Sequence, residues 1–117
     1  MGCSYLRFYD LYKQNKKIIM TINELKIAIE SDISLLIIDV RMPKELTGPL
    51  GKIGSVMNIP VQELEKRIGE LDGYKERNIA VICKSGIRSA FAQKILAGYG
   101  FNAKNVEGGM EQFRNNA

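Results

Sequence analysis

The residues best able to carry out chemistry lie in one short stretch, residues 82–89, which reads ICKSGIRS. It follows a strand-like apolar run and opens a helix-like run, so Cys83 is placed at the end of a strand and at the positive end of a helix dipole. Backbone N–H groups in such a loop bind anions, and the same field lowers the pKa of a thiol. We therefore interpret Cys83 as a nucleophile in preference to a packing residue.

The chain contains no histidine, which excludes Ser-His-Asp and Cys-His mechanisms and removes the commonest metal ligand. Activation of Cys83 must then come from backbone dipoles or from the basic side chains of Lys84 and Arg88 in the same stretch. We predict no metal site and no cofactor. A buried cysteine that ends a strand often only packs, but Lys84, Ser85 and Gly86 lead directly into a polar loop, which disfavours that alternative.

The composition is that of one globular domain. Its 117 residues are 45% hydrophobic and 26% charged, and the apolar runs are too short to span a membrane. Cys3 and Cys83 lie in very different contexts, so we expect no disulfide and a reducing, cytoplasmic location. Residues 1–19 hold four basic residues and one acidic residue, which leaves residues 20–117 close to neutral. The net charge of +4 therefore does not indicate nucleic-acid binding, which needs a clustered basic face.

Residues 1–19 read MGCSYLRFYDLYKQNKKII and have poor helical periodicity. Three interpretations compete: an acylated N-terminus, a signal peptide and a peripheral extension. Leu6 stands where the acylation pattern needs Ser or Thr, and polar residues interrupt any apolar signal core. We therefore divide the chain into an N-terminal, peripheral extension, residues 1–19, and a folded domain, residues 20–117.

Helical and strand patterns alternate through the folded domain. Thr21 and Glu24 match a capping box at the start of an amphipathic helix that ends near Glu30. Four strands are predicted, two buried on both faces at residues 35–38 and 79–82, and two others at residues 56–59 and 102–106. Further helical segments are expected from Pro43, over residues 61–71, from an N-cap at Ser89 to Gly98, and over residues 110–114. This alternation predicts an α/β fold around a parallel sheet.

Polar residues follow two of these strands, at the edge where α/β proteins place their sites. Cys83 follows one strand, and Asp39 and Arg41 close another. We expect Asp39 and Arg41 to pair locally and shape the rim of a pocket, in preference to Asp39 acting as an acid or base. The nearby Glu45 is interpreted as part of a solvated helix face.

Four segments, in order, resemble the motifs of single-domain rhodaneses, the thiosulfate sulfurtransferase-like family. They are the strand 35–41 with Pro43 and Glu45, the segment GKIGSVMNIP at residues 51–60, the loop CKSGIRS at residues 83–89, and the run VEGGM at residues 106–110 with Phe113. The resemblance covers residues 20–117. It implies a three-layer α/β sandwich with a central, mostly parallel five-stranded sheet flanked by helices. The chain departs from the family pattern at Lys52, at Gly54-Ser55 and at Phe113, where the family has His, Pro-Gly and Trp.

The resemblance also implies an activity, the transfer of sulfane sulfur from a donor such as thiosulfate or a persulfide through a persulfide on Cys83. The N–H groups of the loop would converge on the charged sulfur from Lys84, Ser85, Gly86, Ile87 and Arg88. Lys84 and Arg88 would attract a small anionic donor, although Arg88 could instead hold the loop by pairing with a carboxylate. The implied acceptor is a thiol or cyanide, with a protein sulfur acceptor as a further candidate. Cys3 itself is interpreted as incidental, with a second sulfur-accepting thiol as the alternative if the N-terminal arm folds back.

Two other functions remain as alternatives. Cysteine phosphatases and arsenate reductases use a Cys-x5-Arg loop, whereas four residues separate Cys83 from Arg88 here. The shorter loop predicts a cradle for a single sulfur atom in preference to a tetrahedral oxyanion. The second alternative is a non-catalytic binding module of the same fold, which the presence of Cys83 disfavours.

Overall fold

The computed structural model describes residues 18–115, and its centre is a five-stranded sheet in which every neighbouring pair of strands is parallel. The strands run in the spatial order β1-β5-β4-β2-β3. Their bounds are β1 Ile19–Met20, β2 Leu36–Asp39, β3 Val56–Asn58, β4 Asn78–Ile82 and β5 Asn102–Val106. The parallel α/β sandwich predicted from the sequence is confirmed.

Three α-helices and three short 3-10 segments cover the sheet. The α-helices are α1 Ile22–Ser31, α2 Ile87–Gly98 and α3 Gly109–Asn115, and the 3-10 segments are Pro43–Thr47, Val61–Glu63 and Ile68–Tyr74. The capping box predicted for α1 is present: the Glu24 N–H donates to Thr21 Oγ1 at 3.1 Å, and the Thr21 N–H donates to Glu24 Oε1 at 2.8 Å.

The hydrophobic core has two parts, as a sheet covered on both faces requires. One part brings the β2 and β4 side chains against α2 and the two later 3-10 segments; it contains Ile38, Val81, Cys83, Leu96 and Leu71, among others. The second part lies with α1 and α3; it contains Leu25, Ile37, Ala80, Ile82 and Met110, among others. All four residues of β2 are buried, which confirms the sequence-based prediction of burial on both faces.

The helix predicted over residues 61–71 is wrong in type. The segment forms two 3-10 stretches joined by turns, and Leu64 and Leu71 are nevertheless fully buried. Their spacing satisfies a core contact in either conformation, while Gly69 disfavours a continuous α-helix because glycine loses the most backbone entropy there.

The short strand β1 was not predicted. It pairs with β5, where the Asn105 N–H donates to the Ile18 carbonyl at 2.7 Å and the Glu107 N–H donates to the Met20 carbonyl at 2.8 Å. Two residues carry no periodicity that a sequence pattern could show. The predictions of acylation, a signal peptide or a peripheral extension concern residues that mostly lie outside 18–115, and the domain boundary at residue 20 stays a prediction. Within 18–115, no helix is long and apolar enough to cross a membrane.

Candidate active site

The loop that carries Cys83 spans the four residues between β4 and α2. It turns into the helix at Gly86, whose φ of 107° is a conformation that residues with a Cβ rarely adopt. The predicted N-cap at Ser89 is wrong: α2 begins at Ile87, and Gly86 is the N-cap. Ser89 therefore lies in the first turn of α2, fully buried.

The sulfur of Cys83 occupies the place that a capping side chain usually takes. Its Sγ accepts the Gly86 N–H at 3.1 Å and the Ser89 N–H at 3.3 Å, and the Ser85 N–H also bonds to it. The Ser89 hydroxyl lies 3.2 Å from the same atom. The thiol thus satisfies N–H groups that have no partner within the first turn of a helix. Ile87 points outward, with 71% of its surface exposed.

Opposing influences act on the Cys83 thiol. Burial is the largest and raises its pKa, because it disfavours the charged form. The hydrogen bonds from the Ser89 hydroxyl and from the N–H groups of Ser89, Gly86 and Ser85 together outweigh burial. The pKa of Cys83 therefore lies below its ordinary value, and uncharged hydrogen-bond donors produce this lowering without any imidazole.

Helix α3 holds the loop through two backbone hydrogen bonds. The Met110 N–H donates to the Cys83 carbonyl at 2.8 Å, and the Glu111 N–H donates to the Lys84 carbonyl at 3.0 Å. In a trans peptide, the N–H of the next residue points away from the carbonyl. Holding the Lys84 carbonyl against α3 therefore turns the Ser85 N–H toward the sulfur.

Asp39 and Arg41 form the local pair that the sequence predicts, but inside the protein. They are 0% and 1% exposed, and Arg41 Nη2 lies 2.8 Å from Asp39 Oδ2. Arg41 also donates to the carbonyls of Gly51 at 2.7 Å and Glu45 at 3.3 Å. The pair thereby holds the segment that forms one wall of the pocket.

Arg88 is bound to a carboxylate. Its Nη1 and Nη2 atoms donate to the two carboxylate oxygens of Glu45 at 2.7 and 3.0 Å. The expectation that Glu45 belongs to a solvated face is therefore wrong; the Arg88 hydrogen bond lowers its pKa to about 2. A role of Arg88 in binding substrate stays a prediction, because its guanidinium is already engaged.

A cavity of about 490 Å³ opens beside the loop, and Lys84 reaches it. Its lining consists of Arg41, Lys44, Glu45, Gly48, Pro49, Leu50, Lys84 and Glu111. Since Arg41 and Glu45 are paired elsewhere, the lysines supply its positive charge and Glu111 supplies negative charge. Of the departures from the family pattern, Lys52 donates to the Gly54 carbonyl at 3.1 Å, and Phe113 packs partly buried against the second core part.

The sequence-based reasoning missed Asn105. Its Oδ1 lies 2.5 Å from the Ser89 hydroxyl, and its Nδ2 donates to the Gly86 carbonyl at 3.2 Å. The one available indication was a polar residue near the end of a predicted strand. Among residues 18–115, no cluster of three or more Cys, Asp or Glu side chains is placed to hold a metal ion.

Comparison with known proteins shows which family the chain is similar to. A family model described as a Rhodanese-like domain matches residues 21–116. The chain is 38% identical over 86 residues to "Putative sulfurtransferase YtwF" of Bacillus subtilis (strain 168), covering 74% of this chain and 80% of that protein. It is 37% identical over 95 residues to "Putative sulfur carrier protein YrkF" of the same organism, covering 80% of this chain but only 49% of that protein.

A solved structure has the same fold. The rhodanese-related protein from Thermoplasma volcanium superposes with a TM-score of 0.75 at 32% sequence identity. The match covers 85% of this chain and 92% of that one.

Proposed function

Because the chain belongs to the rhodanese-like domain family, we propose that it is a sulfurtransferase that carries sulfane sulfur as a persulfide on Cys83. The observation that carries the proposal is the set of N–H groups directed at a buried cysteine sulfur with a lowered pKa. Such an arrangement stabilises a thiolate, which is the nucleophilic form of cysteine.

The proposed cycle has two displacements at sulfur. The Cys83 thiolate attacks the outer sulfur of the donor, a new S–S bond forms, and the donor leaves with the electron pair of its broken bond, as sulfite does from thiosulfate. An acceptor thiolate or cyanide then attacks the terminal sulfur of the persulfide, and Cys83 leaves as the thiolate. The N–H groups at Cys83 stabilise the thiolate charge at the start and end of the cycle.

The cavity beside the loop supports a small anionic donor. Lys44 and Lys84 line it, and ammonium groups attract the charge of a thiosulfate ion. The acceptor in this proposal is a thiol or cyanide. A protein acceptor is supported by the similarity to a relative that is named a sulfur carrier, although the chain spans about half of that relative's length. A cytoplasmic location stays a prediction.

Two features weigh against the alternative functions. The loop is one residue shorter than the Cys-x5-Arg loop of phosphatases and arsenate reductases, and Glu45 binds both terminal nitrogens of Arg88. A module that only binds a partner needs no thiol with a lowered pKa, whereas Cys83 has one.

The test is loading with thiosulfate followed by mass spectrometry and measurement of thiocyanate after addition of cyanide. We expect the wild-type chain and Cys3→Ser to gain one sulfur atom and to produce thiocyanate. Cys83→Ser should do neither. A Cys83→Ser variant that retains activity, or a wild-type chain that gains no sulfur from either thiosulfate or a persulfide donor, would refute the proposal.

A further inference from the structure

The hydroxyl of Ser89 has a single proton and two neighbours that can accept it. Asn105 Oδ1 lies 2.5 Å from Ser89 Oγ, and Cys83 Sγ lies 3.2 Å from it. A hydroxyl donates one hydrogen bond and accepts others. When Cys83 is a thiol there is no conflict, because its S–H can donate to Ser89 Oγ while the hydroxyl donates to Asn105.

The orientation of the Asn105 amide is fixed by its other contact. Its Nδ2 donates to the Gly86 carbonyl at 3.2 Å. Turning the amide over would place its oxygen against that carbonyl oxygen, and two acceptors would face each other. Asn105 therefore presents an acceptor to Ser89, from β5 on one side of the loop.

The conflict appears when Cys83 ionises. A thiolate can only accept a hydrogen bond, so the Ser89 hydroxyl must either turn to donate to the sulfur or continue to donate to Asn105 Oδ1. If it turns, Asn105 Oδ1 loses its partner at a partly buried position, which costs free energy. If it stays, a lone pair of Ser89 Oγ faces the negative sulfur.

We propose that Asn105 is a positioning residue that competes with Cys83 for the hydroxyl hydrogen of Ser89 and thereby opposes ionisation of Cys83. The loop N–H groups then stabilise the thiolate, and Ser89 contributes only part of what its hydroxyl could give. A persulfide removes the conflict, because its inner sulfur is neutral and the Ser89 hydroxyl can donate its hydrogen bond to Asn105 again. Asn105 thus favours the thiol and the sulfur-loaded cysteine over the free thiolate.

The charged groups around the loop must stay constant in the test. They are Arg88 on α2, its partner Glu45, the Asp39–Arg41 pair after β2, Lys84 in the loop and Glu111 on α3. Asn105 is neutral, so replacing it by alanine removes its hydrogen bonds to Ser89 and to the Gly86 carbonyl and changes no charge.

The experiment titrates Cys83 in a Cys3→Ser background, where it is the only thiol. The readouts are thiolate absorbance and the rate of alkylation by iodoacetamide against pH. In Asn105→Ala the Ser89 hydroxyl is free to donate its hydrogen bond to the Cys83 sulfur. We therefore expect the pKa of Cys83 to fall by about one unit, which corresponds to a hydrogen bond to a charged group. In a Ser89→Ala background, Asn105→Ala should leave the pKa unchanged.

A merely structural role for Asn105 predicts the opposite. If Asn105 only holds the loop through the Gly86 carbonyl, its loss loosens the N–H groups around the sulfur, and the pKa rises with or without Ser89. Such a rise would overturn the proposal, as would a pKa that does not change. Asn105→Asp keeps an acceptor toward Ser89 and adds negative charge, so the pKa of Cys83 must rise in this variant. A fall in the pKa of Cys83 would also overturn the proposal. These titrations contain no sulfur donor, so their outcome is separate from that of the proposed sulfur transfer.

Discussion

Gly109 is the residue at which one methyl group would separate α3 from the loop that carries Cys83. A Cβ built there would lie 2.5 Å from the Cys83 carbonyl oxygen and 2.6 Å from the carbonyl carbon of Lys84. Both atoms belong to the backbone, so no side-chain rotation can relieve the contact. The φ of 58° at Gly109 adds strain for any residue with a Cβ.

The size of the effect follows from these contacts. Ordinary contact requires a shift of roughly one ångström, which stretches the bonds from the N–H groups of Met110 and Glu111, now 2.8 and 3.0 Å, beyond hydrogen-bonding distance. Each lost bond costs about 1 kcal/mol and the left-handed backbone about 1 to 2 kcal/mol. We expect Gly109→Ala to lower the free energy of unfolding by about 3 to 4 kcal/mol, a large part of the usual total.

Chemical denaturation measures this change, and alkylation kinetics measure its effect on the site. Release of the Lys84 carbonyl frees the Ser85 N–H to turn away from the sulfur, so the pKa of Cys83 should rise and alkylation at neutral pH should slow. Gly98→Ala is the matched control, because a Cβ there meets no atom within 4 Å and alanine suits the end of α2. If Gly109→Ala is no less stable than Gly98→Ala and keeps the wild-type pKa of Cys83, the proposed hold of α3 on the loop is wrong.

Two further predictions concern the charged groups. The pKa of Glu45 is lowered from 4.5 to about 2 in the folded state, so its ion pair with Arg88 stabilises the fold above pH 4.5 and is lost as the pH falls toward 2. Between pH 6 and pH 3, the free energy of unfolding measured by denaturation should therefore fall less in Glu45→Gln than in the wild type. An equal fall would contradict a stabilising role of the ion pair. In steady-state assays, Lys84→Ala should reduce kcat/KM for thiosulfate more than for an uncharged persulfide donor. Arg88→Ala should reduce kcat/KM for both donors alike, because Arg88 is held by Glu45. Equal losses for the two donors in Lys84→Ala would show that this lysine does not attract the anion.

Local patterns in the sequence predicted the parts of this protein that local forces determine. The capping box at Thr21, the burial of β2 and β4 on both faces, and the position of Cys83 at a strand end all depend on residues within one element. Other features depend on residues far apart in the chain. Glu45 and Arg88 are 43 positions apart, and Ser89 and Asn105 are 16 apart, so no periodicity could bring them together.

Because the charged groups around the loop are paired, we expect the geometry of the backbone to affect the Cys83 thiol more than net charge does. Each of the pairs Asp39–Arg41 and Glu45–Arg88 is neutral overall, so neither leaves a free cation at the sulfur. The groups that bond to Cys83 are uncharged donors, and their effect depends on distance and direction. We therefore expect the reactivity of the thiol to depend on the elements that hold the loop, α3 through the carbonyls of Cys83 and Lys84 and β5 through Asn105.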